Sequence, residues 1–130
     1  MRLVTLVMAS GPGFPGGSPE HRYEMEVALT ADRRLDAVAW AESSVPWRAR
    51  RFWPGQAPRE GFLHHEAETG WSLRFPPPPG AAADAAPQAL LRHAGQIRPG
   101  EHLTIQEPDG REYGWRVVGV EVPPGPVAPP

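Results

Sequence analysis

The chain has 130 residues, no cysteine and a formal net charge of −2. That length suits one domain able to bury a core without staples, and the missing cysteines exclude disulfide scaffolds, thiolate zinc sites, iron–sulfur clusters and cysteine nucleophiles. All thirteen basic residues are arginine, which also excludes Schiff-base and phosphate-loop lysines, and the small negative charge gives the whole molecule no strong pull toward polyanions.

The opening MRLVTLVMASG carries one arginine and a short apolar stretch. A secretory signal occupies about 15–30 residues, and no apolar run approaches the roughly 18 residues of a membrane span. Leu3, Thr5 and Val7 alternating with Val4, Leu6 and Met8 predict a strand over about 2–9 buried on both faces, and a cytoplasmic location. GPGFPGGSP at 11–19 is a loop by its glycines and prolines. HRYEMEVALT at 21–30 alternates, with Tyr23, Met25, Val27 and Leu29 on one face of a half-buried strand. LDAVAWAES at 35–43 reads as a short helix with Asp36 as N-cap, or as an irregular crossover.

Residues 47–54, WRARRFWP, interleave arginines with aromatics. As a strand over 47–53 they place Trp47, Ala49 and Trp53 inward, Arg48 and Arg50 outward and Arg51 near a rim. GFLHHEA-ETG-WSLRF predicts a hairpin over about 60–67 and 71–76 with Glu68-Thr69-Gly70 as loop. In that register His65 opposes Leu73 and Leu63 opposes Phe75, leaving His64, Glu66, Ser72 and Arg74 on the other face. PPPPGAAADAAPQ at 76–88 reads as a linker. QALLRHAGQIRPG then reads as a short amphipathic helix, presenting Leu90, Leu91, Ala94 and Ile97 and stopping at Pro99-Gly100. A second hairpin, EHLTIQE-PDG-REYGWRVVGVEV, covers about 101–107 and 111–122. Pro108, Asp109 and Gly110 form its turn, Ile105 opposes Tyr113 and Leu103 opposes Trp115. The apolar phase switches after Val117 to Val118, Val120 and Val122, which predicts a β-bulge or a sharp coil near Val117-Val118. PPGPVAPP at 123–130 reads as a disordered tail.

These elements predict one mainly β (α+β) domain over 1–122. The expected form is a small antiparallel β-barrel or roll, OB-like or SH3-like, with one short helix before the final hairpin. Element order alone implies no function.

The candidate binding surface is Trp47, Arg48, Arg50, Arg51, Phe52, Trp53 and Arg59. Arginines can track phosphates while aromatics stack on bases, and the same residue types anchor protein interfaces. Adjacent His64 and His65 point to opposite faces of a strand and cannot chelate together. His64 and Glu66 share a face, and with His102 or His21 are weak candidates for a metal site, which needs three or four converging ligands. No linear signature of an enzyme is present, and no catalytic residue, metal or cofactor is expected.

The composition, rich in Ala, Gly, Pro and Arg and lacking Asn and Lys, points to a GC-rich, bacterial genome. The expected function is a protein-binding or assembly module, whose partner is another protein or a second copy, reached through the 47–59 patch or by β-augmentation at an open edge. The alternative is a single-stranded nucleic-acid-binding OB-like domain using the same residues. A metal-dependent enzyme at His64, Glu66 and His102 is third. No membrane partner is expected.

Overall fold

The computed structural model describes residues 1–77 and 88–123. Eight strands form a closed antiparallel barrel: β1 Arg2–Ser10, β2 Ser18–Val27, β3 Arg48–Phe52, β4 Arg59–Glu66, β5 Gly70–Arg74, β6 Gln88–Arg92, β7 His102–Gln106 and β8 Glu112–Glu121. Each strand pairs with its neighbours in sequence, and β1 closes on β8. This consecutive order is an up-and-down meander, whereas an OB-fold is a five-stranded Greek-key barrel. The small antiparallel barrel is therefore present, and its OB-like or SH3-like connectivity is corrected. Closure also removes the open edge that β-augmentation would need.

Alternation decides which residues enter the barrel. Val4, Leu6 and Met8 of β1, Tyr23, Met25 and Val27 of β2, Leu73 of β5, Ile105 of β7 and Trp115 of β8 are all buried. The outward residues of β1, Leu3, Thr5 and Val7, are only half-buried. The sequence predicts burial of both faces for this segment. Among the described residues no layer covers the outer wall here, so only one face is fully enclosed.

The helix lies elsewhere than before the final hairpin. α1 spans Ala37–Glu42, and the Asp36 side chain caps it by accepting from the Ala39 N–H at 3.0 Å, as the sequence predicts. Its Trp40 indole donates to the Leu63 carbonyl at 3.1 Å and meets Trp71 edge-on at 6.3 Å, closing one end of the barrel. The helix predicted over 88–100 is instead β6 followed by an irregular return. Ala89 and Leu91 point inward and are buried, and β6 pairs with both β5 and β7. Leaving the gap between those strands open would strand two rows of backbone donors and acceptors, so pairing outweighs the weak helical periodicity. His93, at φ 57°, ends the strand, and Ile97 still reaches the core.

The two hairpins form as expected in kind. In the second, Ile105 faces Tyr113 and Leu103 faces Trp115, and Gly110 takes the left-handed conformation at φ 89°. In the first, Leu63 faces Leu73 and His65 faces Trp71, with residues 67–69 as the loop. That is a slip of two residues from the predicted pairing, which keeps every side chain on its predicted face. The register between β1 and β8 shifts between Thr5 and Leu6, opposite Val117 and Gly119, so Val118 is the extra residue of the predicted bulge. The expected linker at 76–88 and tail at 123–130 fall mostly outside the described residues, and Gln88 belongs to β6.

Candidate binding surface

The WRARRFWP segment divides between the two sides of the barrel wall. Trp47 and Ala49 are each only 2% exposed, and Trp47 stacks on Trp71 at 5.6 Å inside the barrel. Trp47 is therefore a core residue and cannot contact a partner.

Arg51 also points inward. Its Nη2 and Nε donate to Glu107 Oε1 at 2.8 and 3.1 Å. Nε also reaches the Tyr23 hydroxyl at 3.2 Å, and the Tyr23 hydroxyl donates to Glu107 Oε2 at 2.8 Å. The Arg51 guanidinium lies 3.8 Å from the centre of the Trp53 ring. Burial first, and the Glu107 carboxylate second, push the Tyr23 phenol well above its usual range, so it stays a donor. Beside Trp53, at 4.3 Å, lies the His21 ring, itself 4.6 Å from Phe14. Burial, aided by the Arg51 charge and opposed by Glu20, lowers the His21 pKa below its usual 6.5. These groups satisfy one another and close the second end of the barrel. Arg51 and Trp53 thus leave the predicted surface. Tyr23 and Glu107, 84 residues apart, carry no local sequence signal of their contact.

Arg48, Arg50 and Phe52 face outward. Phe52 lies between two guanidinium groups, Arg22 at 4.5 Å and Arg50 at 5.3 Å. Arg50 pairs with Glu60 at 3.5 Å and Arg22 with Glu24 at 3.7 Å. Arg59 sits at the edge of the patch, 5.2 Å from the Phe75 ring. Among the described residues Arg48 and Arg59 have no ion-pair partner within 4 Å.

The same wall carries a groove of about 280 Å³ running from Leu3 across β2 and β3 to Phe62. Phe62 is 45% exposed, a large apolar side chain displayed on a barrel wall. Cross-strand pairing orders the groove into rows. Leu3 faces Glu26 and Arg48 faces Phe62, while Thr5 faces Glu24, Glu24 faces Arg50 and Arg50 faces Glu60. Glu26 and Arg48 each lie one step beyond the Met25–Ala49 pair, so the first row reads Leu3, Glu26, Arg48, Phe62. Among the described residues neither Glu26 nor Arg48 has an ion-pair partner within 4 Å. The residue types along 47–59 point to Arg48 and Arg50; Leu3, Glu26 and Phe62 come from other strands and reach the groove only through register.

His64 contacts Glu66 at 3.2 Å, and Arg74 donates to the same carboxylate at 3.2 Å. The bond to His64, then that from Thr69, hold the exposed Glu66 carboxyl below its usual pKa. His102 is on β7, three strands from β4, and faces Arg116; His21 is buried on β2 against Phe14 and Trp53. Among the described residues no group of three His, Asp or Glu side chains is placed to hold a metal. Nor, among them, is any helix long and apolar enough to cross a membrane.

The chain matches no family model, no curated protein and no solved structure. Its functional reading rests on the wall of β1 to β4.

Proposed function

We propose that this chain is a non-catalytic protein-binding or assembly module whose contact surface is the outer wall of β1 to β4. The observation that carries the reading is the groove between Leu3 and Phe62, apolar at both flanks with acid and base between. Exposed aromatic and arginine side chains around an apolar recess are the composition of interface cores. The charged outer faces of β2 and β3 also suit a barrel bathed in water, since lipid-facing arginine and glutamate are costly. The composition fits a bacterial chain, and the cytoplasm is the compartment this reading assumes.

Single-stranded nucleic acid is less well supported. Arg22, Arg50 and Arg51 are each paired with a carboxylate, which leaves Arg48 and Arg59 as the cations of the 47–59 patch without an ion pair among the described residues, few for a phosphate-tracking groove. A metal-dependent reaction at His64 and Glu66 lacks a third ligand nearby among the described residues.

The test is a photo-crosslinking residue at position 62 in the native cell, with position 104 on the far wall as control. The reading expects a polypeptide adduct at 62 that is absent at 104. Equal adducts at both positions, or an adduct at 62 that nuclease destroys, would overturn it.

A further inference from the structure

We infer that the occupant of this wall is a second copy of the same chain, docked about a two-fold axis. The inference rests on the binding role proposed for the wall, and it names the partner. The row Leu3, Glu26, Arg48, Phe62 runs apolar, acid, base, apolar across four adjacent strands. It is complementary to its own reversal. An axis in the plane of the wall, parallel to the strands and midway between β2 and β3, lays β2 of one copy over β3 of the other. Glu26 then faces Arg48 and Leu3 faces Phe62, and symmetry repeats each contact.

The next row behaves the same way. Glu24 of one copy faces Arg50 of the other, and Thr5 faces Glu60. Within one chain Arg50 already pairs with Glu60 and Glu24 with Arg22, so docking would extend these pairs into a network. Glu26 and Arg48 differ, because within one chain neither has an ion-pair partner among the described residues. A two-fold contact supplies both partners at once and covers the exposed Phe62 ring. Opposite charges in register also fix the orientation of docking, which apolar contact alone does not.

The contact is small. Four strands spaced about 4.8 Å apart and the two rows along them make a patch roughly 20 Å across, at most about 400 Å² on each copy. That is below the roughly 1,200 Å² total of a standard specific interface, so the dimer is weak and its test covers the range around 10–100 μM.

The test is sedimentation equilibrium of the full chain from about 5 to 500 μM, bracketing that range. The proteins are wild type, E26R, R48E, the double variant E26R/R48E and an equimolar mixture of the two single variants. Wild type should dimerise. Each single variant sets like charges face to face and should weaken association at least about tenfold. The mixture should recover a heterodimer, because the first row of E26R then carries only basic charges and that of R48E only acidic ones. The double variant should dimerise again. Far-ultraviolet circular dichroism confirms that the variants fold.

A wild type that stays monomeric throughout, or a mixture no better than either single variant, overturns self-association. Position-62 crosslinking then separates the two ideas. An adduct heavier or lighter than twice the chain overturns the second copy and keeps the binding wall. No adduct at all overturns both.

Discussion

Replacing Arg51 with methionine tests whether this arginine holds the barrel together or serves a partner. Its side chain is 13% exposed and that of Glu107 4%. Removing the guanidinium takes two hydrogen bonds from Glu107, at 2.8 and 3.1 Å, and leaves Tyr23 as the carboxylate's remaining side-chain donor. A buried carboxylate stripped of its cation costs about 3–5 kcal/mol. In a domain of this size that lowers Tm by roughly 10–20 °C. An exposed arginine serving only a partner would shift stability by no more than about 0.5 kcal/mol. Removing both charges as R51M/E107L leaves no unpaired ion, and only the Tyr23 hydroxyl loses its acceptor. The double variant should therefore settle about 1–2 kcal/mol below wild type, with a coupling of at least about 2 kcal/mol. Urea unfolding followed by tryptophan fluorescence reads all four proteins, because Trp53 and Trp115 lie beside the network. An R51M loss under about 1 kcal/mol, or additive single changes, would show that no desolvated pair exists.

Three further changes probe the same architecture. The unfolded chain protonates His21 near 6.5 while the folded chain resists it; stability is therefore complete above that value and falls as pH drops through it, and H21Q should flatten the fall of Tm between about pH 7.5 and 5. An unaltered slope would assign that fall to other groups. A Cβ at Gly61 would strike the Arg74 carbonyl and the Phe75 ring at 2.7 Å, whereas Gly16 has open space. Hence Gly61→Ala should lower the unfolding free energy read from urea titration by about 1–3 kcal/mol, and Gly16→Ala by less than about 0.5 kcal/mol. Tyr23 keeps its proton above the usual 10.0, so stability declines as pH rises past that value; Y23F should lessen this alkaline decline in Tm while costing about 1.5–3 kcal/mol at neutral pH.

Most of the barrel is written locally. Period-two alternation placed Tyr23, Met25 and Val27 inward, and the Pro-Asp-Gly turn set the second hairpin's register because Gly110 accepts a left-handed φ. The first hairpin slipped by two residues because either three-residue loop satisfies the same alternation, and pattern alone distinguishes only odd from even shifts. The segment Leu90-Leu91 misled because two adjacent leucines with Ala94 and Ile97 fit a helix, while the need to close the barrel is a property of β5 and β7. Arg51 misled in a related way. Its inward parity was legible, but its partner Glu107 lies 56 residues away, and a buried arginine is credible only once that partner is known.

The location proposed for the binding surface agrees with how the barrel is filled. Eight strands enclose a space that side chains can fill, and here Trp47, Phe75, Tyr113 and Trp115 are buried in it. Trp40 and Trp71 close one end, while Trp53, His21 and Phe14 close the other. The inward groups with chemical potential, Tyr23, Arg51 and Glu107, are consumed by one another. The recognition surface we propose therefore lies outside, where the two walls differ. On the far wall Arg92 is tied to Gln106 at 2.9 Å and to Glu112 at 3.7 Å. On the near wall Glu26 and Arg48 stand side by side between Leu3 and an exposed Phe62. Within one chain neither charge has an ion-pair partner within 4 Å among the described residues. A copy facing them in reverse order meets both charges directly, so the feature that gains least within one chain gains most between two.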